Sequence, residues 1–480
     1  MNQPIDDLAS LKGKQITLYV LPVDGVFEED SSGTRVFDGI EANSLSASPR
    51  DLANAANETW EPNTWLIALE SNETKRWPAL SQFDEETWLE IRFILQPAGD
   101  KGHSEAYLYP PSPDGSKHIL KLISVQGLKN RRALRRLDSF ARLKGIPTAS
   151  KQAITAIFDD TLLNVGETAV ISYDVGQANW NAIVDVSNCP NHPPTAILFF
   201  DCGAPSGWNY QTLPTPAIAP FASASPSVPL VLSHWDMDHW AGAAAGQPLY
   251  GSRGIAINFT PAALSRTWIV PNQGRGATGQ KIRSTAWRLA LALYRAGKLV
   301  IWPTLLNRIN LQQGYSIVKC VPGPSVRGKN NNSGLAMIVL TSTKKRPRAL
   351  TILPGDADYS SLAANYPEIS HPDMSFTGLI ASHHGAKLVG MPPRALVYWS
   401  KLAVSHGSCH GHPTPSSLAA HKTAGWQYQY ETHIRLHRTL ANGIQQDCGS
   451  VVLGATWVAS HAALGRCRTC AAAADICPIQ

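Results

Sequence analysis

The stretch VLSHWDMDHWAG, residues 231–242, decides how the rest of the chain is interpreted. It opens with apolar residues that predict a buried strand, and four metal-binding side chains follow directly. A lone Asp or His after a strand is usually a cap or a solvated group. Four of them within six positions predict a site for divalent cations that keeps a position open for water. These candidate ligands are His234, Asp236, Asp238 and His239.

Similar side chains end two later apolar runs. Asp356 closes the run ALTILPGD after Gly355, a residue that lets the backbone approach closely, and its carboxylate can bridge two cations. His383 and His384 end the run GLIASHHG, and either can be a ligand. Since no Lys or Arg stands among these carboxylates and imidazoles, they would repel or stay protonated without cations. Metal is therefore the simplest stabilising partner.

Length and composition limit the class of protein. The chain has 480 residues, of which 44% are hydrophobic and 16% charged, and its formal net charge is +6. This length favours two or more domains with sizeable cores. We predict an N-terminal domain of unknown role over residues 1–165, and a second domain over 166–480 that carries the metal motif. No apolar run reaches the roughly 18 residues that span a bilayer, and MNQPIDDLAS lacks a signal pattern, so a cytoplasmic location away from membranes is expected.

Six apolar runs in the second domain each lead to or follow polar residues. Strand propensity carries the chain across a core and places those polar residues at one rim. Helical spacing fits between the runs, as over 281–298, where Ile282, Trp287, Leu291 and Tyr294 share a face. The pattern predicts an α/β sandwich, preceded by a mixed α/β N-terminal domain. The runs are AVISYDVGQ, TAILFFDCG, VPLVLSHWDMDH, LAMIVL, ALTILPGD and GLIASHHG.

Three groups of basic residues are relevant to whether the protein binds a polyanion. The segment LKNRRALRRLDSFARLKG, 128–145, is amphipathic and is either a solvated helix face or a nucleic-acid patch. The turn STKKRPR, 342–348, and the segment 281–295 also agree with a polyanionic substrate, although surface cations are commonly only solvated. The cations of 281–295 in question are Lys281, Arg283, Arg288 and Arg295.

Eight cysteines are scattered along the chain, and without a secretory signal they are expected to be reduced thiols. Cys467, Cys470 and Cys477 lie in the C-terminal tail at a spacing that offers three ligands for a small zinc site. A fourth ligand at suitable spacing is not evident.

The order of motifs DVGQ, FFDCG, SHWDMDH, NNNSG, PGD, SHHGA and GHPTP resembles the metallo-β-lactamase fold. The resemblance is to its ComEC-like branch, typified by the hydrolase domain of a DNA-uptake protein. In that branch an aspartate, here Asp236, stands where the wider superfamily has a second histidine. The resemblance covers about residues 168–440 and implies an αββα sandwich.

The resemblance also implies roles for individual residues. His234 and Asp236 would hold one ion, and Asp238 and His239 the other. Asp356 would bridge the two ions, and the turn at His383 and His384 would complete the second site. Asp201 of FFDCG would support the metal loop without binding metal, and His412 of GHPTP would contact phosphate or donate a proton. The catalytic residues implied are Asp201, Asp238 and His412, and the substrate-binding residues are Asn332, Ser333, Trp235 and His412.

Two departures from the pattern affect the choice of metal. Asn179 stands where ComEC-like chains have an acidic residue after DVGQ. No histidine occurs between His239 and His371, so Asn331 or Asn332 fills the place of a missing ligand, or one ion is held loosely. Fewer nitrogen ligands favour Mn²⁺ or Mg²⁺ over a tight pair of zinc ions. We expect two divalent ions, either Zn²⁺ or Mn²⁺, with Mg²⁺ as a further option.

Two adjacent ions can activate water as hydroxide for attack on a phosphodiester. We predict a metal-dependent phosphodiesterase or nuclease that acts on DNA or RNA. It is similar to stand-alone hydrolases of bacterial anti-phage systems, in which an extra domain, here 1–165, recruits or senses a protein partner. The alternatives are a hydrolase of a small molecule, such as a cyclic nucleotide, phosphoester or lactone, and a non-catalytic scaffold stabilised by metal. An exposed Trp235 would stack a base, whereas a buried one would belong to the core.

Overall fold

The structure is a computed structural model. It describes residues 8–23, 34–70, 75–77, 80, 86–96, 106–111, 116–162, 165–187, 195–205, 220–273, 281–323, 331–341, 349–405, 411–432, 438–439, 445–446 and 450–454. Within these ranges, no helix combines the length and the apolar character needed to cross a membrane. The basic turn 342–348 and the tail cysteines at 467, 470 and 477 lie outside the described residues.

The N-terminal part of the chain forms a closed barrel of six antiparallel strands in the order β1-β2-β3-β5-β6-β4. Strand β4, LEIRFIL, alternates buried and half-buried residues, as expected for a strand with one face on a core. Because the barrel is closed, it leaves no unpaired sheet edge. The strands are β1 Gln15–Pro22, β2 Arg35–Glu41, β3 Thr64–Leu69, β4 Leu89–Leu95, β5 Ala106–Leu108 and β6 Ile119–Gly127.

The rest of the described chain contains two seven-stranded mixed sheets. The first has the order β14-β13-β10-β9-β8-β7-β24, and the second runs from β15 to β21 in sequence order. Two hairpins, β11-β12 and β22-β23, stand apart from them. The strands are β7 Thr168–Ser172, β8 Trp180–Asp185, β9 Thr195–Cys202, β10 Leu230–Val231, β11 Leu249–Gly251, β12 Gly254–Ala256, β13 Trp268–Val270, β14 Leu299–Ile301, β15 Arg308–Asn310, β16 Ser316–Lys319, β17 Leu335–Thr341, β18 Ala349–Leu353, β19 Gly378–Ile380, β20 Lys401–Val404, β21 Tyr428–Glu431, β22 Arg438–Thr439, β23 Gln445–Gln446 and β24 Val451–Gly454.

The described helices are mostly short. The α-helices are α1 Ala42–Ser46, α2 Leu52–Asn57, α3 Arg131–Ala141, α4 Lys151–Leu162, α5 Met237–Trp240, α6 Pro261–Leu264, α7 Ser284–Arg295, α8 Tyr359–Ala363 and α9 Pro415–Thr423. The 3₁₀ segments are Leu8–Leu11, Pro220–Ser223, Ala241–Ala243, Gln312–Gly314, Asn331–Ser333, Pro367–Ser370 and Ser382–Gly385.

The prediction of an αββα sandwich with a mixed α/β N-terminal domain was wrong. Helix makes up only 27% of the structure, which is mainly β and begins with the closed barrel. The six apolar runs do contain strands, as predicted, but only half of the neighbouring pairs in the two large sheets are parallel, and every pair in the barrel is antiparallel. Antiparallel neighbours can be joined by short hairpins, whereas parallel neighbours need a long crossover. Fewer helices are therefore present than a repeating strand and helix pattern would require.

One apolar core unites the two large sheets and positions the metal motif. It contains Val170, Phe200 and Val231 from the first sheet, and Met337 and Leu353 from the second. In each sheet a run of parallel strands, β9-β10-β13 and β18-β19-β20, directs its carboxyl ends to one edge. The polar residues that follow these ends are therefore brought close together.

The barrel is joined to the first sheet through helix α7. Asp38 of strand β2 is buried, and its carboxylate accepts hydrogen bonds from the hydroxyls of Ser284 and Thr285 and from the Thr285 backbone N–H at 3.1 Å. An acceptor from the barrel thus caps the N-terminus of α7, where backbone N–H groups lack helical partners. Tyr250 strengthens the junction by donating to the carbonyl of Leu66 in strand β3 at 2.8 Å.

The cations of 281–295 also serve this junction. Arg283 donates to the carbonyl of Pro22 at 2.7 Å, and Arg288 donates to that of Pro62 at the same distance. Arg295 donates to the carbonyl of Trp60 at 2.7 Å, and the Lys281 ammonium donates to that of Glu86. These four cations therefore give no support to a polyanionic substrate, because they bind carbonyls of the N-terminal part of the chain.

Asp38 should make the stability of the protein depend on pH. Burial, opposed by the hydrogen bonds from Ser284 and Thr285, raises the pKa of Asp38 from 3.8 to about 6. The folded protein then retains a proton between these values that the unfolded chain releases, so its stability falls as pH rises through this window. Relative to Asp38→Asn, the unfolding free energy of the wild type should decrease by about 2 kcal/mol from pH 4 to pH 6. Urea unfolding of both proteins across this range measures the difference, and a flat or rising difference would contradict it.

Candidate metal centre

The metal loop follows strand β10 directly and turns into the short helix α5. Asp236 is the residue before that helix, and its carbonyl accepts from His239 N–H at 3.1 Å. This tight turn brings the rings of His234 and His239 close together, with centroids 3.9 Å apart and ring planes tilted by 54°. The loop thus presents two imidazoles and two carboxylates within one turn.

Four residues from three parts of the chain form a compact ligand cluster. Asp238, His239, Asp356 and His384 each contribute one ligand atom, and these atoms lie within 4.8 Å of one another. His384 Nε2 is 3.1 Å from Asp238 Oδ2, and His239 Nε2 is 3.1 Å from Asp356 Oδ1. Two imidazole nitrogens and two carboxylate oxygens at this spacing suit Zn²⁺ or Mn²⁺.

Asp356 also faces the remaining candidate ligands. Its Oδ2 atom lies 3.9 Å from His234 Nε2 and 3.8 Å from His383 Nε2, and His234 Nε2 lies 3.3 Å from Asp236 Oδ2. The two oxygens of one buried carboxylate therefore point toward two neighbouring groups of ligands. The side chains of Asp236 and His383 are 14% and 25% exposed, so the centre opens to solvent on their side.

Buried nitrogens in the centre fit a cation. The Nε2 atoms of His234 and His239 are buried and make no aligned hydrogen bond within the described part of the chain. Leaving a buried polar atom without a partner costs about 1–3 kcal/mol. A divalent cation that accepted these lone pairs would remove that cost, so the residues present fit a metal ion.

Hydrogen bonds to Nδ1 orient the imidazoles with Nε2 toward the cluster. His239 Nδ1 donates to Asp201 Oδ2 at 2.8 Å, and His384 Nδ1 donates to the carbonyl of Ser405. The Ser233 hydroxyl donates to Asp201 Oδ2 at 2.8 Å, and its oxygen lies 3.0 Å from His234 Nδ1, which can therefore act as the donor to it. Each Nδ1 is thus a donor, and each Nε2 keeps a lone pair for metal.

Asp201 is fully buried and binds the metal loop through Ser233 and His239. Its backbone adopts φ +61°, in the left-handed region, and its Oδ1 accepts from Ser233 N–H at 2.6 Å. Asp201 therefore holds Ser233 and His239 in position, and it does not reach the opening of the site.

The His-His-Gly turn has an unusual backbone. His383, His384 and Gly385 all have positive φ values, of 46°, 53° and 79°. For a residue other than glycine, such a conformation costs about 1–3 kcal/mol and is typical of functional sites. The turn directs His384 into the buried cluster and leaves His383 at the rim, where Asn331 Nδ2 lies 3.4 Å from His383 Nδ1.

His412 belongs to a segment that packs against this turn. Thr414 N–H donates to the carbonyl of Gly385 at 2.9 Å, and the rings of His412 and His383 have centroids 5.7 Å apart. His412 is half-buried, so it borders the opening without joining the ligand cluster.

Electrostatics within the cluster reflect its crowded opposite charges. Burial would lower the pKa of His239, but Asp356, Asp201 and Asp238 raise it well above its ordinary value. Burial would likewise raise the pKa of Asp238, but His239 and His384 lower it to about 2. Without a cation the carboxylates therefore stay ionised and His239 holds an extra proton, which a bound cation would displace from Nε2.

Two of the substrate-binding predictions are not supported by the structure. Trp235 is only 3% exposed, and its indole N–H donates to the carbonyl of Pro271, so the prediction of base stacking was wrong and the core alternative holds. Asn332 is 3% exposed, and its side chain bonds both the backbone N–H and the carboxylate of Asp358. Asn332 therefore holds the segment after Asp356. Ser333 is half-buried and accepts from Gln273 Nε2 at 3.4 Å.

Sequence reasoning missed two supporting residues, Ser233 and Gln273, and noted a third, Asn179, only as a departure from the family pattern. Ser233 joins Asp201 to His234, and Gln273 Oε1 accepts from Trp235 N–H at 3.0 Å. Asn179 donates to Asp356 Oδ1 at 3.2 Å, which gives a purpose to the amide that replaces the expected acidic residue. Of Ser233 and Gln273, only Ser233 could have been recognised from the sequence, because it lies next to His234.

Removing the Ser233 hydroxyl should weaken metal binding without unfolding the protein. Ser233→Ala deletes the acceptor near His234 Nδ1 and one donor to Asp201, and loss of such orienting groups typically lowers metal affinity about 10- to 100-fold. Calorimetric titration with Zn²⁺ and Mn²⁺ measures the change. The exposed Ser360→Ala is the control, and equal affinities of the two variants would show that Ser233 has no orienting role.

No protein-family model matches this chain, and no curated protein matches it. Membership of the metallo-β-lactamase family therefore stays a prediction from the motifs. The function must be inferred from the residues of the centre.

Proposed function

We propose that the protein is a metal-dependent hydrolase of phosphodiesters. The observation that supports this most directly is the candidate ligand cluster of Asp238, His239, Asp356 and His384. Next to it, His234 Nε2 has no aligned hydrogen bond from any residue that the structure describes. A purely structural metal site is normally closed by its four ligands, whereas a catalytic site keeps a position for water or substrate. The partly exposed Asp236 and His383 line such an opening.

The residues divide into ligands, positioning groups and rim groups. Asp238, His239, Asp356 and His384 would hold a divalent cation, with His234 and Asp236 available to a second one beside Asp356. Such cations supply Lewis acidity, which acidifies water and offsets charge on phosphoryl oxygens. Asp201 and Ser233 hold the imidazoles in place. His412, at the rim beside His383, would give a proton to a leaving oxygen.

The experiment compares metal-loaded and chelator-treated protein on a panel of substrates. The panel contains single-stranded, double-stranded and plasmid DNA, RNA, bis(p-nitrophenyl) phosphate, a cyclic nucleotide and a lactone. We expect hydrolysis of a phosphodiester with Mn²⁺ or Zn²⁺, its loss with chelator, and its loss in the double variant Asp238→Ala, His239→Ala. The charge-matched surface variant Asp373→Asn, at a carboxylate 89% exposed, should retain activity.

The substrates also distinguish the alternatives. Cleavage of the cyclic nucleotide or lactone alone would replace a nuclease with a small-molecule hydrolase. Equal inertness of the wild type and the double variant on every substrate, with metal bound in calorimetry, would overturn the hydrolase and leave a metal-stabilised scaffold.

A further inference from the structure

We propose that the start of helix α3 is a binding surface for the phosphate backbone of a nucleic acid. The surface consists of Lys129, Arg131, Arg132 and Arg135, and we call it the α3 patch. It deepens the proposed function by naming nucleic acid as the substrate class. None of its four residues belongs to the metal centre, so the two can be tested separately.

The cations of the α3 patch are exposed and available. All four are exposed, and within the described part of the chain their side chains make no ion pair or hydrogen bond. The cations of helix α7 behave differently, since they are bound to carbonyls of the N-terminal part. Arg136, also on α3, donates to the carbonyl of Ser48 at 2.6 Å and is not part of the patch. The fold thus pairs the other cations with backbone carbonyls, and the four cations of the α3 patch remain available to a ligand.

The positions of these cations do not stabilise the folded protein. Arg131 and Arg132 occupy the first turn of α3, where the helix dipole is positive and cations are unfavourable. Arg131 and Arg135 are four residues apart, so their like charges lie side by side. Asp138, the acidic residue of this helix, faces Lys281 at 3.7 Å. A polyanion would relieve this repulsion, and backbone N–H groups at the helix start would add to its attraction.

The chemistry of the helix favours a nucleic acid over a lipid surface. The large apolar side chains Leu137 and Phe140 are buried in the core, and Leu134 is half-buried against it. A helix that lies on a membrane needs a free apolar face, and α3 has none. Three of the four cations are arginines, whose planar guanidinium groups bind phosphate through paired hydrogen bonds.

The test measures binding to labelled single- and double-stranded oligonucleotides by fluorescence anisotropy, with chelator present to prevent cleavage. The combined variant Arg131→Gln, Arg132→Gln, Arg135→Gln should bind roughly tenfold or more weakly than the wild type. Its salt dependence, as the slope of log K against log salt, should be smaller by about 2–3. The matched control is Lys12→Gln, Lys14→Gln, Arg253→Gln, which removes three exposed cations elsewhere and should change affinity less than about twofold.

Further measurements separate the outcomes. Urea unfolding should show the α3 variant at least as stable as the wild type, since cations leave a positive helix end, so lost binding would not reflect unfolding. Equal losses in both triple variants, no loss in the α3 variant, or binding to phosphatidylserine vesicles but not to oligonucleotides would overturn the inference. Hydrolysis of bis(p-nitrophenyl) phosphate should be equal in the α3 variant and the wild type. If no substrate is hydrolysed while oligonucleotide binding depends on the patch, the proposed function fails and this inference stands.

Discussion

Replacing Asp356 by asparagine is expected to abolish hydrolysis and to remove most of the metal affinity. The Asp356 carboxylate faces His239 through Oδ1, and His234, His383 and His384 through Oδ2, so one substitution withdraws charge from every part of the centre. We expect a fall in kcat/KM of about 10³-fold or more, on the scale of losing a group that acts with the rest of the site. Metal titration by calorimetry should show a weaker affinity and fewer ions bound per chain.

The control for Asp356→Asn is Asp373→Asn, which makes the same chemical change at an exposed carboxylate. Asn is nearly the same size as Asp, and Asn179 already donates to Asp356, so the folded structure should persist. Unfolding of both variants in chelator checks this. Wild-type activity and full metal content in Asp356→Asn would rule out a bridging role for this carboxylate.

Substituting Gly203 by alanine should produce the largest loss of stability among single changes near the centre. A Cβ atom at this position would lie 1.8 Å from the carbonyl oxygen of Asp238 and 2.8 Å from that of Asn179. Both contacts are with backbone, which cannot turn aside as a side chain can, so the metal loop must shift or the fold must open. We expect a loss of about 3 kcal/mol or more, the upper end of the range for overpacking, accompanied by weaker metal binding.

Gly297→Ala provides the comparison for Gly203→Ala. Gly297 has φ +66°, and among the described residues no atom lies within 4 Å of the position that its Cβ would take. Alanine at this position would therefore lose only about 1 kcal/mol of stability, because its backbone disfavours a positive φ. Urea unfolding in chelator separates the two variants. Equal losses of stability would mean that the loop relaxes freely around Gly203 and that its close approach is unimportant.

Local sequence was sufficient to predict many of the strands and to single out the candidate ligands that the fold brings together. The strands that lead to Asp201, His234, Asp356 and His384 were predicted because apolar runs with strand propensity and polar ends are local features. The helix over 284–295 was predicted for the same reason, from its spacing of apolar residues. The fold class was mispredicted, because periodicity shows which face of a strand is buried but not which strand lies beside it.

The sequence by itself determined which side chains are available to bind metal: four candidate ligands within six residues, a carboxylate after a glycine and a histidine pair. Only the tertiary structure decided how these groups are used. Closure of the barrel, burial of Trp235, capping of helix α7 by Asp38 and the choice of His384 for the cluster all depend on contacts between distant segments. The physical reason is that the ability to bind metal is a property of each side chain. Whether that side chain is buried, paired or free depends on the residues that folding places around it.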